Sequence, residues 1–121
     1  MDFSPIFVVD DDIRVLQLTE MEIEDCGYSC ELFSSAHDFL VSIKTVKPSL
    51  VLLDLMMPDM NGLECLKQLA IFNFDFPVLM FTSVDDDLYR RQALDSGAKA
   101  YLLKSEFLAS PSSIINRFIK H

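Results

Sequence analysis

A chain of 121 residues, half of them hydrophobic and 24% charged, can bury one core but not comfortably two, and is balanced for folding rather than for disorder. Its formal charge of −9 excludes a strong intrinsic grip on nucleic acid, because phosphate binding needs a basic surface. No apolar run approaches the roughly 18 residues that would cross a bilayer, and the opening "MDFSPIF" lacks a signal region, so one cytoplasmic domain over residues 1–121 is expected, away from membranes.

Taken in chain order, "IFVV" (6–9) is a strand-length apolar run that ends on Asp10, Asp11 and Asp12. In the next segment Val15, Leu18, Thr19, Ile23 and Cys26 share one side at helical spacing. Glu20 and Glu24 lie opposite, Glu22 intrudes beside the stripe, and Gly27 ends the helix. "CELF" (30–33) predicts the second strand, and Ser34 or Ser35 caps a helix over "SAHDFLVSIKTV" that must finish before Pro48. "LVLL" (50–53) predicts a third strand ending on Asp54. A third helix opens after "PDMNG", carries Leu63, Leu66 and Ala70 on one face, and stops between Asn73 and Pro77. "PVLMF" (77–81) is the fourth strand, followed by Thr82 and Ser83. The acidic run Asp85 to Asp87 suits the amino terminus of a fourth helix, which ends at Gly97. "AYLL" (100–103) predicts the fifth strand and leads into Lys104. A fifth helix begins near "SPSS", with Pro111 at its start and Ile114, Ile115 and Phe118 as its apolar stripe.

Three of the strand runs are unbroken rather than alternating, as expected of strands covered on both faces. Strands alternating with helices imply right-handed crossovers and a parallel sheet between two helical layers, a doubly wound α/β fold with five strands and five helices. Cys26, Cys30 and Cys65 form neither an even set nor a CxxC pair, and no histidine stands at metal-ligand spacing from them, so they are read as reduced packing residues. His37 and His121 are isolated.

In such sheets ligands bind beyond the carboxyl ends of the strands, where strand order reverses. The residues placed there are Asp10, Asp11 and Asp12 after the first strand, Asp54 after the third, Thr82 and Ser83 after the fourth and Lys104 after the fifth; the second strand gives only Ser34 and Ser35, which fits an outer position. Two like charges about 5 Å apart at an effective dielectric near 20 repel by roughly 3 kcal/mol, which the fold must offset. A divalent cation does so, and an all-oxygen acidic site partly open to water suits magnesium. Lys104 adds a second, fixed positive charge. A carboxylate flanked by a metal, an ammonium and a hydroxyl is prepared to attack phosphorus, which makes Asp54 the candidate nucleophile.

"FVVDDD", "VLLDLMMPDMNGLE", "PVLMFTS" and "GAKAYLLKS", in this order and spacing, resemble the receiver domain of two-component response regulators over essentially the whole chain. The resemblance implies a flavodoxin-like sheet of order 2-1-3-4-5 and a phosphoryl group accepted on Asp54 from a histidine kinase or histidine phosphotransfer protein. It implies Mg2+ bound by the side chains of Asp11 and Asp54 and the backbone carbonyl of Met56, with Asp10 assisting through water. Thr82 would hold the phosphoryl oxygens, Lys104 would pair with them, Ser83 would leave access and offer its N–H, and Tyr101 would be the switch aromatic. Output would pass through the face formed by the fourth helix, fifth strand and fifth helix, with Arg90, Leu94 and Tyr101 on it, to an output domain, a partner protein or a homodimer. A signalling domain that catalyses only its own phosphorylation and dephosphorylation is implied, rather than an enzyme.

Two departures matter. Ser105 follows Lys104 where most receivers have a proline in a cis bond, which leaves the local geometry of Lys104 open. Met56 and Val84, two residues beyond Asp54 and Thr82, are both apolar. Plainer readings stand for other residues: Asp12 as a helix cap, Asp59, Asn61 and Gly62 as a turn, and Asp85 to Asp87 as partners of a helix dipole. Three other classes share part of this pattern. Asp10 and Asp12 have the spacing of a haloacid-dehalogenase-like phosphatase, but Arg14 follows them and no cap domain is present. A flavodoxin would need a hydroxyl- and glycine-rich phosphate loop after the first strand, where this chain is acidic. A receiver-like interaction module that is never phosphorylated need not keep all five pocket residues.

Overall fold

The computed structural model describes residues 4–119; His121 lies outside them. Five parallel strands, β1 (Ile6–Val9), β2 (Cys30–Phe33), β3 (Leu50–Leu53), β4 (Val78–Thr82) and β5 (Ala100–Leu103), form one sheet of order β2-β1-β3-β4-β5. Between them run α1 (Ile13–Asp25), α2 (Ala36–Ser42), α3 (Gly62–Ile71) and α4 (Asp87–Asp95), and two helices, α5 (Lys104–Ala109) and α6 (Pro111–Phe118), follow β5.

Strand residues alternate between two cores because successive side chains leave a strand on opposite faces. Phe7, Val9, Val51, Leu53 and Met80 pack with Phe39 of α2, Leu66 and Leu69 of α3 and Ala93 of α4. Ile6, Val8, Leu50, Leu52 and Phe81 pack with Leu16 and Ile23 of α1, Phe107 of α5 and Ile114 and Ile115 of α6. With both faces covered, every residue of β1, β3 and β4 is buried, which is why these runs are unbroken in the sequence.

Three helices depart from the sequence expectation. The buried side of α1 is Leu16, Thr19 and Ile23, while Leu18 is exposed, because the sheet beneath fixes the helix phase and favours the neighbouring stripe. On α3 the buried residues are Cys65, Leu66 and Leu69, and Ala70 faces outward. The five expected helices are present, that read at "SPSS" being α6, and one short helix of six residues not expected from the sequence, α5, starts directly at Lys104. The caps are local: Asp12 accepts the Arg14 N–H and Ser35 that of Asp38, as expected, while Asn61, read only as part of a turn, accepts that of Glu64, and Asp86, read only as a partner of the helix dipole, accepts that of Tyr89. Asn73, at φ 56°, follows α3 in the left-handed region that asparagine tolerates. No cysteine is bonded to another, and burial pushes the Cys30 and Cys65 thiols up to about 12, as suits inert packing residues.

Candidate functional site

Strand register sets the site. Val9 pairs with Leu53, so Asp10 and Asp54 leave the sheet side by side, and Asp54 N–H donates to Val9 O at 2.9 Å. Thr82 pairs with Leu103, so Lys104 emerges one residue past Thr82 on the neighbouring strand. Asp10 and Thr82 are wholly buried, Asp54 nearly so, and Asp11 is exposed at the mouth. One carboxylate oxygen from each of Asp10, Asp11 and Asp54 lies within 4.8 Å of the others.

Lys104 reaches across the sheet to this cluster. Its Nζ is 2.7 Å from Asp10 Oδ2 and 3.5 Å from Asp54 Oδ1, with the side chain only 17% exposed. Burial works to lower the pKa of this ammonium, and the carboxylates of Asp10 and Asp54 outweigh it, so the amine stays charged. Asp54 is moved the other way: burial first, then the charge of Asp10, push it up to about 7 against the opposing pull of Lys104 and the Met56 N–H. One amine therefore does not neutralise three acids.

The other oxygen of Asp10 accepts the Asp12 N–H at 2.9 Å. Oδ2 takes the Lys104 ammonium as its ion-pair partner. An all-oxygen donor set whose negative charge exceeds that of one ammonium could hold a hard divalent cation. No cluster containing histidine or cysteine exists among the described residues.

Around the acids, Thr82 Oγ1 accepts the Val84 N–H at 3.1 Å, and the Tyr101 hydroxyl donates to Val84 O at 2.5 Å. Tyr101 is buried, and the Arg90 guanidinium lies 5.0 Å from its ring centroid while bonding Asp87 at 3.0 Å. Ser83 is exposed beside Thr82. Met56 is exposed and Val84 half-buried. Among the described residues no peptide bond is cis, including that after Lys104.

The turn "PDMNG", given little weight in the sequence, turns out to organise the segment after Asp54. Asp59 accepts the N–H groups of His37 at 3.1 Å and Ala36 at 3.4 Å, tying this segment to the start of α2. Gly62 N–H donates to Leu55 O at 2.7 Å, and a Cβ at Gly62 would stand 2.5 Å from the Asp54 carbonyl oxygen. A glycine opening a helix, where a better helix former is usual, was the available signal; nothing local marks Asp59, whose partners are 22 and 23 residues away.

The profile of the response regulator receiver domain family matches residues 6–115. The chain is 35% identical over 99 residues to the alkaline phosphatase synthesis transcriptional regulatory protein PhoP of Bacillus subtilis, covering 82% of this chain and 41% of that protein. It is 37% identical over 116 residues to the response regulator MprA of Mycolicibacterium vanbaalenii, covering 93% and 50%. The chain thus spans half or less of the length of these relatives. Among solved structures, the BeF3-activated N-terminal receiver domain of Klebsiella pneumoniae RstA matches with a TM-score of 0.89 at 26% identity, covering 97% of this chain and 99% of that one.

Proposed function

Since the chain belongs to the response regulator receiver family, we propose that residues 1–121 act as one phosphoacceptor domain, cytoplasmic, in which Asp54 takes a phosphoryl group from the phosphohistidine of a histidine kinase or phosphotransfer protein. The observation that carries this reading is the meeting of Asp10, Asp11, Asp54 and Lys104 at one sheet edge, with Asp54 almost wholly buried and over-charged by its neighbours.

A carboxylate oxygen of Asp54 attacks phosphorus as the donor's bond to phosphorus breaks, giving an aspartyl phosphate and the free donor group. With acetyl phosphate the products are the aspartyl phosphate and acetate, and no proton need move. Lys104 contributes a fixed ammonium that pairs with the phosphoryl oxygens, and Thr82 and the Ser83 N–H donate to them as charge is redistributed. Asp11, Asp54 and the Met56 carbonyl, with Asp10 through water, would hold magnesium, which supplies positive charge against the phosphoryl oxygens. The cation requirement follows from the unneutralised carboxylates rather than from the amine.

Val84 bonds both Thr82 and Tyr101, so drawing Thr82 toward a phosphoryl group disturbs the contact that holds Tyr101. We assign these two residues as the switch, and the face built from α4, β5 and α6 as the surface that passes the change on. Its receiver is a partner protein, a second copy of the chain, or an output domain of the kind that the unmatched half of the relatives' length has room for. Nucleic-acid contact would belong to that output and not to a domain of charge −9.

The test is intact-mass analysis after incubation with acetyl phosphate and magnesium. The wild type gains one phosphoryl group that maps to Asp54, and Asp54→Asn gains none while keeping its circular dichroism spectrum. A folded wild type that stays unmodified, or a label found on Asp10, would overturn the assignment.

A further inference from the structure

A lysine can serve a phosphoryl site only if its long, flexible stem starts from a fixed point. Lys104 is the first residue of α5, and Leu103 before it is the last residue of β5, at φ −73° and ψ 144°, so strand passes into helix with no loop between. Such a junction needs a cap. Leu103 has no side-chain acceptor to offer, and Ser105 has no ring to fix the backbone after the lysine. The hydrogen bond at this junction comes from the other side: Glu106 Oε1 accepts the Leu103 N–H at 2.9 Å, the backward half of a capping box.

At six residues α5 is too short to persist by itself. Its inner anchor is Phe107, wholly buried and edge-on to Phe81 at 5.5 Å, and the Lys104 ammonium lies 5.7 Å from the centroid of that same Phe81 ring. Phe107 fixes the helix against the sheet, and the pairing of Leu103 with Thr82 fixes the end of the strand; the bend lies between these two anchors. Glu106 closes that bend, and its exposed carboxylate also suits the positive end of the helix.

We propose that Glu106 is the positioning residue for Lys104: by holding the Leu103 N–H it fixes the strand-to-helix bend from which the amine reaches Asp10 and Asp54. Its effect on phosphoryl transfer rests on the reading of Asp54 given above; its effect on the amine does not. The test therefore uses two measurements on the whole chain.

The first is reductive methylation, followed residue by residue by mass spectrometry, with the exposed Lys67 as internal reference. In the wild type Lys104 reacts slowly. Glu106→Ala raises its rate relative to Lys67 by about fivefold, the worth of a typical hydrogen bond, whereas Glu106→Gln, whose amide oxygen accepts the same N–H, stays near wild type. The second is the rate of acetyl-phosphate labelling, which Glu106→Ala lowers and Glu106→Gln restores, with no further loss from Glu106→Ala when Lys104→Ala is already present. Unchanged Lys104 reactivity in Glu106→Ala would overturn the proposal. So would a glutamine variant as reactive as the alanine one, or an equal loss of labelling with and without Lys104. A wild type that never labels would refute the phosphoacceptor reading alone, since the methylation result stands without it.

Discussion

Asp54 is poised by two neighbours of opposite sign, and the balance has a pH signature. Its pKa in the folded protein, about 7, lies above the ordinary 3.8, mainly through burial and then Asp10. The folded state thus holds a proton that the unfolded state has released. Stability from this source is full below about pH 3.8 and is lost as pH rises through about 7. In cation-free buffer the urea midpoint of the wild type should fall between pH 5 and pH 8. Asp54→Asn should escape this part of the fall and be more stable at pH 8 by roughly 1–3 kcal/mol. Added magnesium should restore the wild type and leave the asparagine variant unmoved; equal pH profiles for the two proteins would refute the account. A second residue-scale expectation concerns Met56 and Val84, two residues beyond Asp54 and Thr82, whose apolar side chains cannot orient water. Loss of phosphate should be slow, and Met56→Asn should speed it several-fold in a dephosphorylation time course; an unchanged rate would count against this role.

The segment joining β3 to α3 shows how much of a site is backbone. Gly62 is a glycine because the helix start lies against the Asp54 peptide: a methyl group there would meet the Asp54 carbonyl oxygen at 2.5 Å and Met80 Cε at 2.7 Å. The methionine tip can move aside and the main chain cannot. Gly62→Ala should therefore cost about 1–3 kcal/mol by urea denaturation, in line with overpacking elsewhere, and should slow labelling of Asp54 as well. Asp59 acts at longer range by capping α2 from this same segment. Asp59→Ala should cost about 1 kcal/mol, the usual worth of a lost cap. The sequence shows a turn at these residues but not what the turn touches, since its partners are brought together only when β1, β3 and α2 have packed.

At the scale of the molecule, two cores share one sheet, and one of them holds the helix that starts at Lys104. Phe107 holds α5, which carries Lys104, whereas Phe39 sits in the opposite core. Each change to alanine should cost about 3–5 kcal/mol on denaturation. Phe107→Ala should also lower the labelling rate of the protein that remains folded, and Phe39→Ala should leave it nearly intact. Strand positions, the Asp12 and Ser35 caps and the set of groups at the sheet edge were legible because they are written in short patterns: strand-length apolar runs, three of them unbroken, that end on polar or charged residues. The phase of α1 and the existence of α5 were not. Leu16 and Leu18 are equally apolar, so only the sheet beneath decides which is buried, and a six-residue helix with one fully buried apolar residue has no period to detect. The sequence alone determined which chemical groups stand at the strand ends, because strand spacing is a local property of the chain. Tertiary structure alone decided that Lys104 spans the sheet to lie nearer Asp10 than Asp54, because register, strand order and the bend into α5 are set by packing between segments far apart in the chain.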